Sequence, residues 1–527
     1  MGSLDYNLFT GSIDVRDLRL GSAAAADLPA FARVGRARLE LSLIQLLHGR
    51  YVVQSGVVED LDLQFVVDGD GRDNVPRPTS DPNHPGKSFD YLVSSLSISN
   101  GRVRYTDRAR HADLSVSLLP VQLTGNAATA RLHLPVESTD GTIQIGSRTD
   151  IVNRVSGLLD LGRDDLNIDR FLIEAAGSRV ELTGGVRDFD RPALGLKLRA
   201  TVDGARTAAL LDVREPVTGT ITADLTASGR LSAPRIDAHV SGATVNVRSL
   251  AAAEIDVRAA YDGSEQRAYV SSARLQAPWG RLSAYAELAL QSTGTSRVRA
   301  EVLNMDAAAI MRGLNLPYVA GTRVNGSLAA EWPGIDYAEA SGTASASLTP
   351  LQTRLTARTM PLGGHLSARG RAGTIVAEWQ QLTAAGAQLT GRLRIGEGRR
   401  LEGQLNGTVP DLGRTVTDAE MFFGRPPGSL LPAAVTGAAH LDARIAGTLT
   451  EPTASVKVSA PAVSMGAANE IGIGADLTVT PAAVMITRAE TAWHGAHAEM
   501  SGTVGLTRNR PLDLVVDAET RDLQQLA

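Results

Sequence analysis

The sequence predicts a mostly β protein: a long antiparallel β-sheet with a few short helices, built from repeats of about 107 residues. Three observations carry this prediction. Apolar and polar residues alternate along most of the chain, turn signals recur about every 10 to 14 residues, and one half-apolar strand pattern returns at nearly even intervals. Aromatic residues make up only 4% of the chain and glycines number 52, which suits strands and turns better than a large cofactor pocket.

The alternation has the two-residue period of a β-strand with one apolar face. In "ALGLKLRATV" the leucines occupy every second position, and Lys197 and Arg199 lie between them. "VTGTITADLTASG", residues 217–229, and "TASVKVSA", residues 453–460, follow the same rule. The apolar face is predicted to include Leu194, Leu196, Leu198, Ile221, Leu225, Val456 and Val458.

Two sequence anchors recur with similar spacing. The first is a V-T/N-G strand opening at Gly219, Gly326 and Gly437, with spacings of about 107 and about 111 residues. The second is a glycine followed by an alternating strand, with spacings of about 103 to about 109 residues. This second anchor lies at Gly177, Gly280, Gly386 and Gly495. Because the two anchors agree, a repeat is favoured over chance matches in a glycine-rich β protein.

Short helix-like segments interrupt the strands ahead of each copy of the first anchor. They read "RTAALLDV", "MDAAAIMRGLNL" and "DAEMFF". One long stretch, residues 68–90, is rich in Pro, Asp and Gly and is predicted to be a loop or linker. The predicted organisation is therefore an N-terminal β segment at 1–67, this linker, and a continuous repetitive β region at 91–527.

The spacing of the turns corresponds to roughly 35 to 40 strands. An open sheet of that size does not stay flat. The chain is therefore expected to close into barrels, to fold into a stack of β-sandwiches, or to bend as a long trough whose apolar face is covered by something else.

Composition excludes several classes of protein. The chain has no cysteine, which removes disulfides, thiolate metal sites and cysteine nucleophiles. The net charge is −5 with both signs interspersed, and no basic run marks a nucleic-acid surface. The sequence has neither a signal peptide nor a run of about 18 apolar residues, so the chain as given is expected to be soluble.

No motif in the sequence predicts an enzyme, a cofactor or a metal site. "PGKS" at 85–88 lacks the glycine and the strand and helix context of a phosphate-binding loop. "IGIG" at 471–474 lacks the third glycine of a dinucleotide fingerprint and is interpreted as a strand. His494 and His497 would point to opposite faces of a strand, so metal ligation by these histidines and Glu499 is disfavoured.

The N-terminal part resembles the opening of AsmA-like proteins. The resemblance rests on "GSIDVRDLRL", on the L-x-x-L-x-G pattern at 43–49, on a D-G-x-x-N loop at 70–74, and on an I-x-N-G-x-x-x-Y-x-D strand at 98–107. Val75 stands where family members often carry a tryptophan. The downstream V-T-G-x-x-x-A-x-L strands resemble the long repetitive portion of the AsmA and TamB group.

This resemblance implies a protein of the envelope of diderm bacteria, periplasmic and anchored to the inner membrane by an N-terminal helix that is absent from this chain. It implies a U-shaped groove with an apolar interior, as in bridge-like lipid-transfer proteins. Two functions are then expected as alternatives. The groove carries phospholipid acyl chains between the inner and outer membranes, or the protein is a scaffold for outer-membrane protein biogenesis that offers sheet edges to a client strand and works with outer-membrane assembly proteins.

Overall fold

The structure is a computed structural model, and it confirms a mostly β protein with 72% strand and 8% helix. It describes residues 2–7, 9–22, 25–48, 51–76, 91–126, 131–214, 216–316, 319–351, 358–422, 424, 426–428, 434–505 and 512–520. The "PGKS" tetrapeptide and most of the predicted 68–90 linker lie outside these residues.

The chain forms two compact units. The first contains Met1–Arg248 and Ala252–Gln266, and the second contains Ser249–Ala251 and Arg267–Ala527. Strands on both sides of the predicted linker belong to the first unit.

The strands of the first unit are numbered in chain order, and the division between the units crosses the last of them. They are β1 (Ser3–Asn7), β2 (Ser12–Leu20), β3 (Ala32–Leu41), β4 (Tyr51–Val67), β5 (Tyr91–Val93), β6 (Ser95–Ser99), β7 (Gly101–Asp107), β8 (Ala112–Leu118), β9 (Val121–Asn126), β10 (Arg131–Ser138), β11 (Asp140–Ile145), β12 (Arg148–Leu161), β13 (Asp165–Ala175), β14 (Ser178–Arg187), β15 (Ala193–Asp203), β16 (Val217–Arg230), β17 (Ala233–Val247) and β18 (Leu250–Asp262).

Most neighbours in this sheet are antiparallel, but β4 pairs in parallel with β5, β6 and β7. The sheet of the first unit is therefore mostly antiparallel, as predicted, with parallel neighbours only beside β4 among the described strand pairs. Parallel neighbours need a long connection between them. The stretch between β4 and β5, which the sequence marks as a linker, has the length for such a connection. From β12 to β17 each strand is antiparallel to the next.

Buried polar groups fix the turn after β4. Asn74 is fully buried; its Nδ2 donates to the backbone carbonyls of Pro29 and Gln64 at 3.0 and 2.7 Å, and its Oδ1 accepts from the N–H of Val66 at 2.9 Å. Because every hydrogen-bonding group of this amide finds a partner, burial stabilises the turn instead of penalising it. The asparagine of the D-G-x-x-N pattern thus has a structural role.

The described strand pairs in the main sheet of the second unit are antiparallel, and two short strands, Val319–Ala320 and Thr359–Met360, form a separate parallel pair. The strands are β19 (Arg267–Ala277), β20 (Gly280–Ala289), β21 (Thr295–Asp306), β22 (Val319–Ala320), β23 (Thr322–Pro333), β24 (Ser341–Pro350), β25 (Thr359–Met360), β26 (Leu362–Arg371), β27 (Thr374–Ala384), β28 (Ala387–Ile395), β29 (Leu401–Val409), β30 (Val435–Gly437), β31 (Ala439–Gly447), β32 (Pro452–Met465), β33 (Ala468–Val479), β34 (Ala483–Trp493), β35 (Ala496–Gly505) and β36 (Leu512–Thr520).

The described α-helices are short, and three of them lie where the sequence predicts helical segments. They are α1 (Leu43–Leu47), α2 (Gly204–Leu210), α3 (Ala307–Gly313) and α4 (Leu412–Phe422). In α2 and α3 the last residue of the preceding strand is the N-cap: Asp203 accepts from the N–H of Arg206, and Asp306 from that of Ala309. An aspartate that ends a strand therefore starts the helix without an intervening loop.

The glycines of the second anchor have a common local structure. Each stands at the start of the second strand of a hairpin, and each has a positive φ, which a residue with a Cβ rarely adopts. The values are 68° at Gly177, 142° at Gly280, 75° at Gly386 and 81° at Gly495. After each hairpin one further strand follows, and in the first three cases that strand leads into α2, α3 or α4. The repeat length of about 107 residues stays a prediction from the sequence.

Candidate functional site

The predicted apolar residues of the first unit lie together on one face of neighbouring strands. Leu194, Leu196 and Leu198 belong to β15, and Ile221 and Leu225 to the adjacent β16. Leu198 is directly opposite Leu225, and Val202 is opposite Ile221. Directly paired residues of an antiparallel ladder share a face. All five predicted side chains are half-buried, whereas Lys197 and Asp224 between them are exposed.

These residues belong to rows that cross the sheet without a polar side chain. Cross-strand pairing from β10 to β17 links Val136, Gly157, Phe171, Leu182, Leu198, Leu225 and Ala238 in one row. The adjacent row consists of Leu134, Leu159, Ile168, Gly184, Leu196, Ala227 and Ile236. We call this apolar surface, from β10 to β17, lane 1.

The same arrangement surrounds Val456 and Val458 on β32 of the second unit. Val456 pairs with Ala443 and Leu477, and Val458 with Leu441 and Ala475. Following the pairs of Val456 outward gives Leu275, Leu282, Val302, Gly326, Ala346, Leu366, Trp379, Gly391, Leu405, Ala443, Val456, Leu477, Ile486, Gly502 and Leu514. We call this surface, from β19 to β36, lane 2.

A second row of lane 2 runs beside the first and is equally apolar. It consists of Ala273, Ala284, Ala300, Leu328, Ala344, Ala368, Ala377, Leu393, Gly403, Ile445, Ala454, Val479, Val484, Val504 and Leu512. Leu328 is 44% exposed, so this surface is not packed like a core.

Part of lane 2 is nevertheless closed by a buried cluster. Ala387, Val409, Ala439, Ala460, Val463 and Ile471 form this cluster, and Leu412 of α4 and Trp493 pack against it. The apolar face of the second unit is thus covered near α4, and its rows away from that cluster are half-buried or exposed.

The opposite face of each sheet carries polar and charged pairs. In the first unit Arg199 Nε lies 2.7 Å from Asp224 Oδ1, and His239 Nε2 lies 2.8 Å from Asp256 Oδ2. The hydrogen bond that Arg199 donates to Asp224 raises the pKa of Arg199 above its ordinary value. Since both partners are largely exposed, the pair adds little stability and chiefly keeps this face hydrated.

The polar face of the second unit contains a depression of about 530 Å³. Two short rows of polar residues line it, Asn325, Ser347, His365 and Gln380 beside Ser327, Ser345, Ser367 and Glu378. Farther along, Lys457 Nζ lies 3.4 Å from Asp476 Oδ1. The two faces of the sheet therefore differ sharply in polarity.

The sequence pattern did not identify the glycines within the rows as part of the site. A Cβ at Gly157 would lie 2.5 Å from Cδ2 of Phe171, and one at Gly391 would lie 2.7 Å from Cζ2 of Trp379. Each ring therefore lies over the backbone of the glycine across from it. The signal in the sequence was a glycine within an alternating strand, which often marks a close approach to the backbone.

The histidines near the end of the chain do not converge. His494 lies in the β34–β35 turn, its ring edge-on to Trp493 at 5.3 Å, and His497 and Glu499 lie on β35. Within the described ranges, no group of three or more His, Asp or Glu residues is placed to hold a metal ion. Among the same residues, no helix combines the length and hydropathy of a membrane span.

Fold and site together define a β-sheet protein whose two units each carry an apolar lane on one face and polar pairs on the other. Comparison of the chain with protein-family models, with curated proteins and with solved structures finds no match.

Proposed function

We propose that the protein is a lipid-transfer conduit, in which phospholipid acyl chains move along lane 1 and lane 2. The observation that carries this proposal is the run of directly paired apolar residues that crosses strand after strand without a polar interruption. A catalytic group is not needed, because the step is passive movement of a bound chain.

The dimensions and chemistry of the lanes suit acyl chains. In lane 1 the leucines of β15 recur at every second residue, so neighbouring rows lie about 6.8 Å apart and neighbouring strands about 4.8 Å apart. Each CH₂ group removed from water contributes about 0.8 kcal/mol, and no specific partner is required. Half-buried side chains leave apolar area that a lipid can cover.

The polar face of the sheet also supports this proposal. Headgroups and water can remain beside exposed ion pairs such as Arg199–Asp224, while the opposite face holds hydrocarbon. In this proposal the protein works in the periplasm, anchored to the inner membrane, and passes phospholipid between the inner and outer membranes. These assignments rest on the family resemblance and on the lanes together.

A scaffold for outer-membrane protein biogenesis is the second candidate, and one strand favours it. Among the described residues, β36 pairs only with β35. Leu512, Val515 and Val516 on β36 are 67%, 58% and 61% exposed. An apolar edge strand is a template to which a client strand can add.

The two candidates are separated by analysing what the purified protein carries. Mass spectrometry of its organic extract should show phospholipid if the lanes hold acyl chains, and the purified chain should then accelerate transfer of labelled phospholipid between vesicles. An extract free of phospholipid, together with unchanged vesicle transfer, would favour the scaffold.

A further inference from the structure

The polar face of the second unit carries a groove on the side of the sheet opposite lane 2. The depression of about 530 Å³ continues into two others, of about 340 and about 390 Å³, on the same face of β21 to β27. Ser327 and Ser367 border the first and the second depression, and Arg299 and Thr343 border the second and the third. Because neighbouring depressions share residues, they form one continuous groove, which we call the polar groove.

The polar groove runs along β23 and β24, which supply its floor. On β23 it extends from Asn325 to Glu331, or roughly 20 Å. Its two sides are formed by β21 and β26, where Arg299 and Arg369 border the middle depression from opposite sides. Cross-strand pairing separates these two arginines by three strand spacings, or roughly 14 Å. These dimensions suit an extended chain better than a single small molecule.

The two arginines that border the middle of the polar groove are available to a ligand. Arg299 and Arg369 are exposed, and within the described part of the chain neither side chain forms an ion pair or a hydrogen bond. Arg297, by contrast, lies 3.9 Å from Glu331. Glu301 also borders the middle depression, so two guanidinium groups face one carboxylate there. Guanidinium groups bind carboxylate and phosphate groups through paired hydrogen bonds, so the middle of the groove favours an anion.

The rest of the polar groove offers hydroxyl and amide groups. The side chains of Thr343, Ser367 and Gln380 are exposed and make no hydrogen bond to other described residues. Hydroxyl and carboxamide groups both donate and accept, which matches the hydroxyls of a sugar. A peptide that adds to a sheet needs a free strand edge, and β23 and β24 are each paired on both sides. The chemistry of the groove therefore favours a carbohydrate chain over a peptide.

We propose that the polar groove binds an acidic oligosaccharide. The hydroxyls of its sugars contact Ser327, Thr343 and Ser367, and its anionic groups contact Arg299 and Arg369. This site lies on the face opposite lane 2, so it is independent of the conduit function and stands or falls separately from it.

The test compares three probes of equal length. Full-length protein is titrated by calorimetry with hexagalacturonate, which carries both hydroxyls and carboxylates, with neutral maltohexaose, and with hexaglutamate, which carries carboxylates without hydroxyls. Hexagalacturonate should bind at least about tenfold more tightly than either of the others, because it alone satisfies both sets of groups. Its affinity should also fall as salt is raised, since the arginines are exposed.

Substitutions locate the binding in the polar groove. The double variant Arg299→Gln/Arg369→Gln should bind hexagalacturonate at least about tenfold more weakly. The matched control Arg394→Gln/Arg444→Gln removes the same charge from exposed arginines that do not border the groove, and it should keep the affinity of the unmodified protein. Thr343→Glu should also weaken binding, because it places a longer, acidic side chain on the floor.

The other outcomes would overturn the proposal. Absence of hexagalacturonate binding would refute the site. Equally tight binding of hexaglutamate would show that charge alone is recognised, and equally tight binding of maltohexaose would show that the arginines play no part. Equal weakening by the groove variant and by its control would mean that the probe responds to the overall charge of the protein and not to the polar groove.

Discussion

The two lanes have the same alternating pattern but side chains of very different size. The row of lane 1 that contains Leu196 is built mainly from Leu and Ile, whereas lane 2 from β19 to β27 has a row of Ala273, Ala284, Ala300, Leu328, Ala344, Ala368 and Ala377. Behind these alanines the polar face carries Ser327, Ser345 and Ser367.

This difference shows that the polarity of a sheet face and the size of its side chains are separate properties. Alternation decides which face is apolar, because successive side chains of a strand point to opposite sides. Side-chain size decides how much of that face the protein fills by itself. Leucine rows cover one another and stabilise the sheet, whereas alanine rows bury little area and leave more of the surface to a ligand.

The largest expected effect comes from placing a charge in either lane. Leu225→Asp in lane 1 and Ala344→Asp in lane 2 put a carboxylate on the apolar face, and an unpaired charge in apolar surroundings costs several kcal/mol. In the proposed conduit every lipid passes the substituted position, so vesicle transfer should fall on the order of 100-fold with either variant. Envelope integrity in cells should fail at normal protein level.

The matched controls place the same charge one residue away, on the polar face. Thr226→Asp and Ser345→Asp should retain transfer, since both positions are exposed. If the lane variants and their controls behaved alike at equal abundance, the conduit would have to be abandoned in favour of the scaffold.

Photo-crosslinking tests the two faces directly and compares the lanes. A photoreactive residue at Leu196 or Leu225 should capture lipid, whereas one at Lys197 or Asp224 should not. At Ala344, where the neighbouring side chains are small, capture should be severalfold higher than at Leu196, because an acyl chain can lie closer to the backbone. Equal labelling of the two faces of β15 and β16 would contradict the assignment of the lane.

The leucines of lane 1 should also contribute to stability. Leu198 is half-buried between Leu182 and Leu225, so Leu198→Ala should lower the free energy of unfolding by about 1 to 2 kcal/mol. Lys197→Ala on the opposite face should change it by no more than about 0.5 kcal/mol. Urea denaturation measures both changes. A loss for Leu198→Ala below this range would mean that the leucines of lane 1 do not stabilise the sheet.

The smallest effect concerns pH, where carboxylates in the two units respond with opposite sign. The guanidinium and backbone N–H of Arg110 lower the pKa of Asp107 in the first unit, whereas burial raises the pKa of Asp418 on α4 in the second. A lowered folded-state pKa gives stability that is present above the unfolded-state pKa and is lost as pH falls through the folded value. A raised folded-state pKa has the opposite effect: the protonated carboxyl contributes stability that is lost as the pH rises through the folded-state pKa.

Lowering the pH should therefore reduce the stability of the first unit through Asp107 and increase the stability of the second unit through Asp418. Arg110→Ala should remove much of this coupling, so hydrogen exchange in β7 and β8 should be faster at neutral pH and should accelerate less as the pH falls below about 4. Asp418→Asn should slow hydrogen exchange in α4 near neutral pH, because it removes the buried charge. Unchanged exchange in both variants would show that neither carboxylate is coupled to local stability.

The sequence by itself determined the β class, the apolar and polar faces, and the positions of three helices. These features are local: a two-residue period fixes the faces, and an aspartate followed by a short apolar segment starts a helix. Leu194, Leu196 and Leu198 could be assigned to one face for that reason, without knowledge of their neighbours.

Tertiary structure alone decided which residues meet across the strands. Register is set by hairpin turns and by bulges such as the one between Trp379 and Leu382, which no local pattern locates. The parallel pairing of β4, the fully buried Asn74, and the packing of the Trp379 ring against Gly391 all depend on residues from different strands. Periodicity along one strand specifies a face, but only pairing between strands turns that face into an uninterrupted lane.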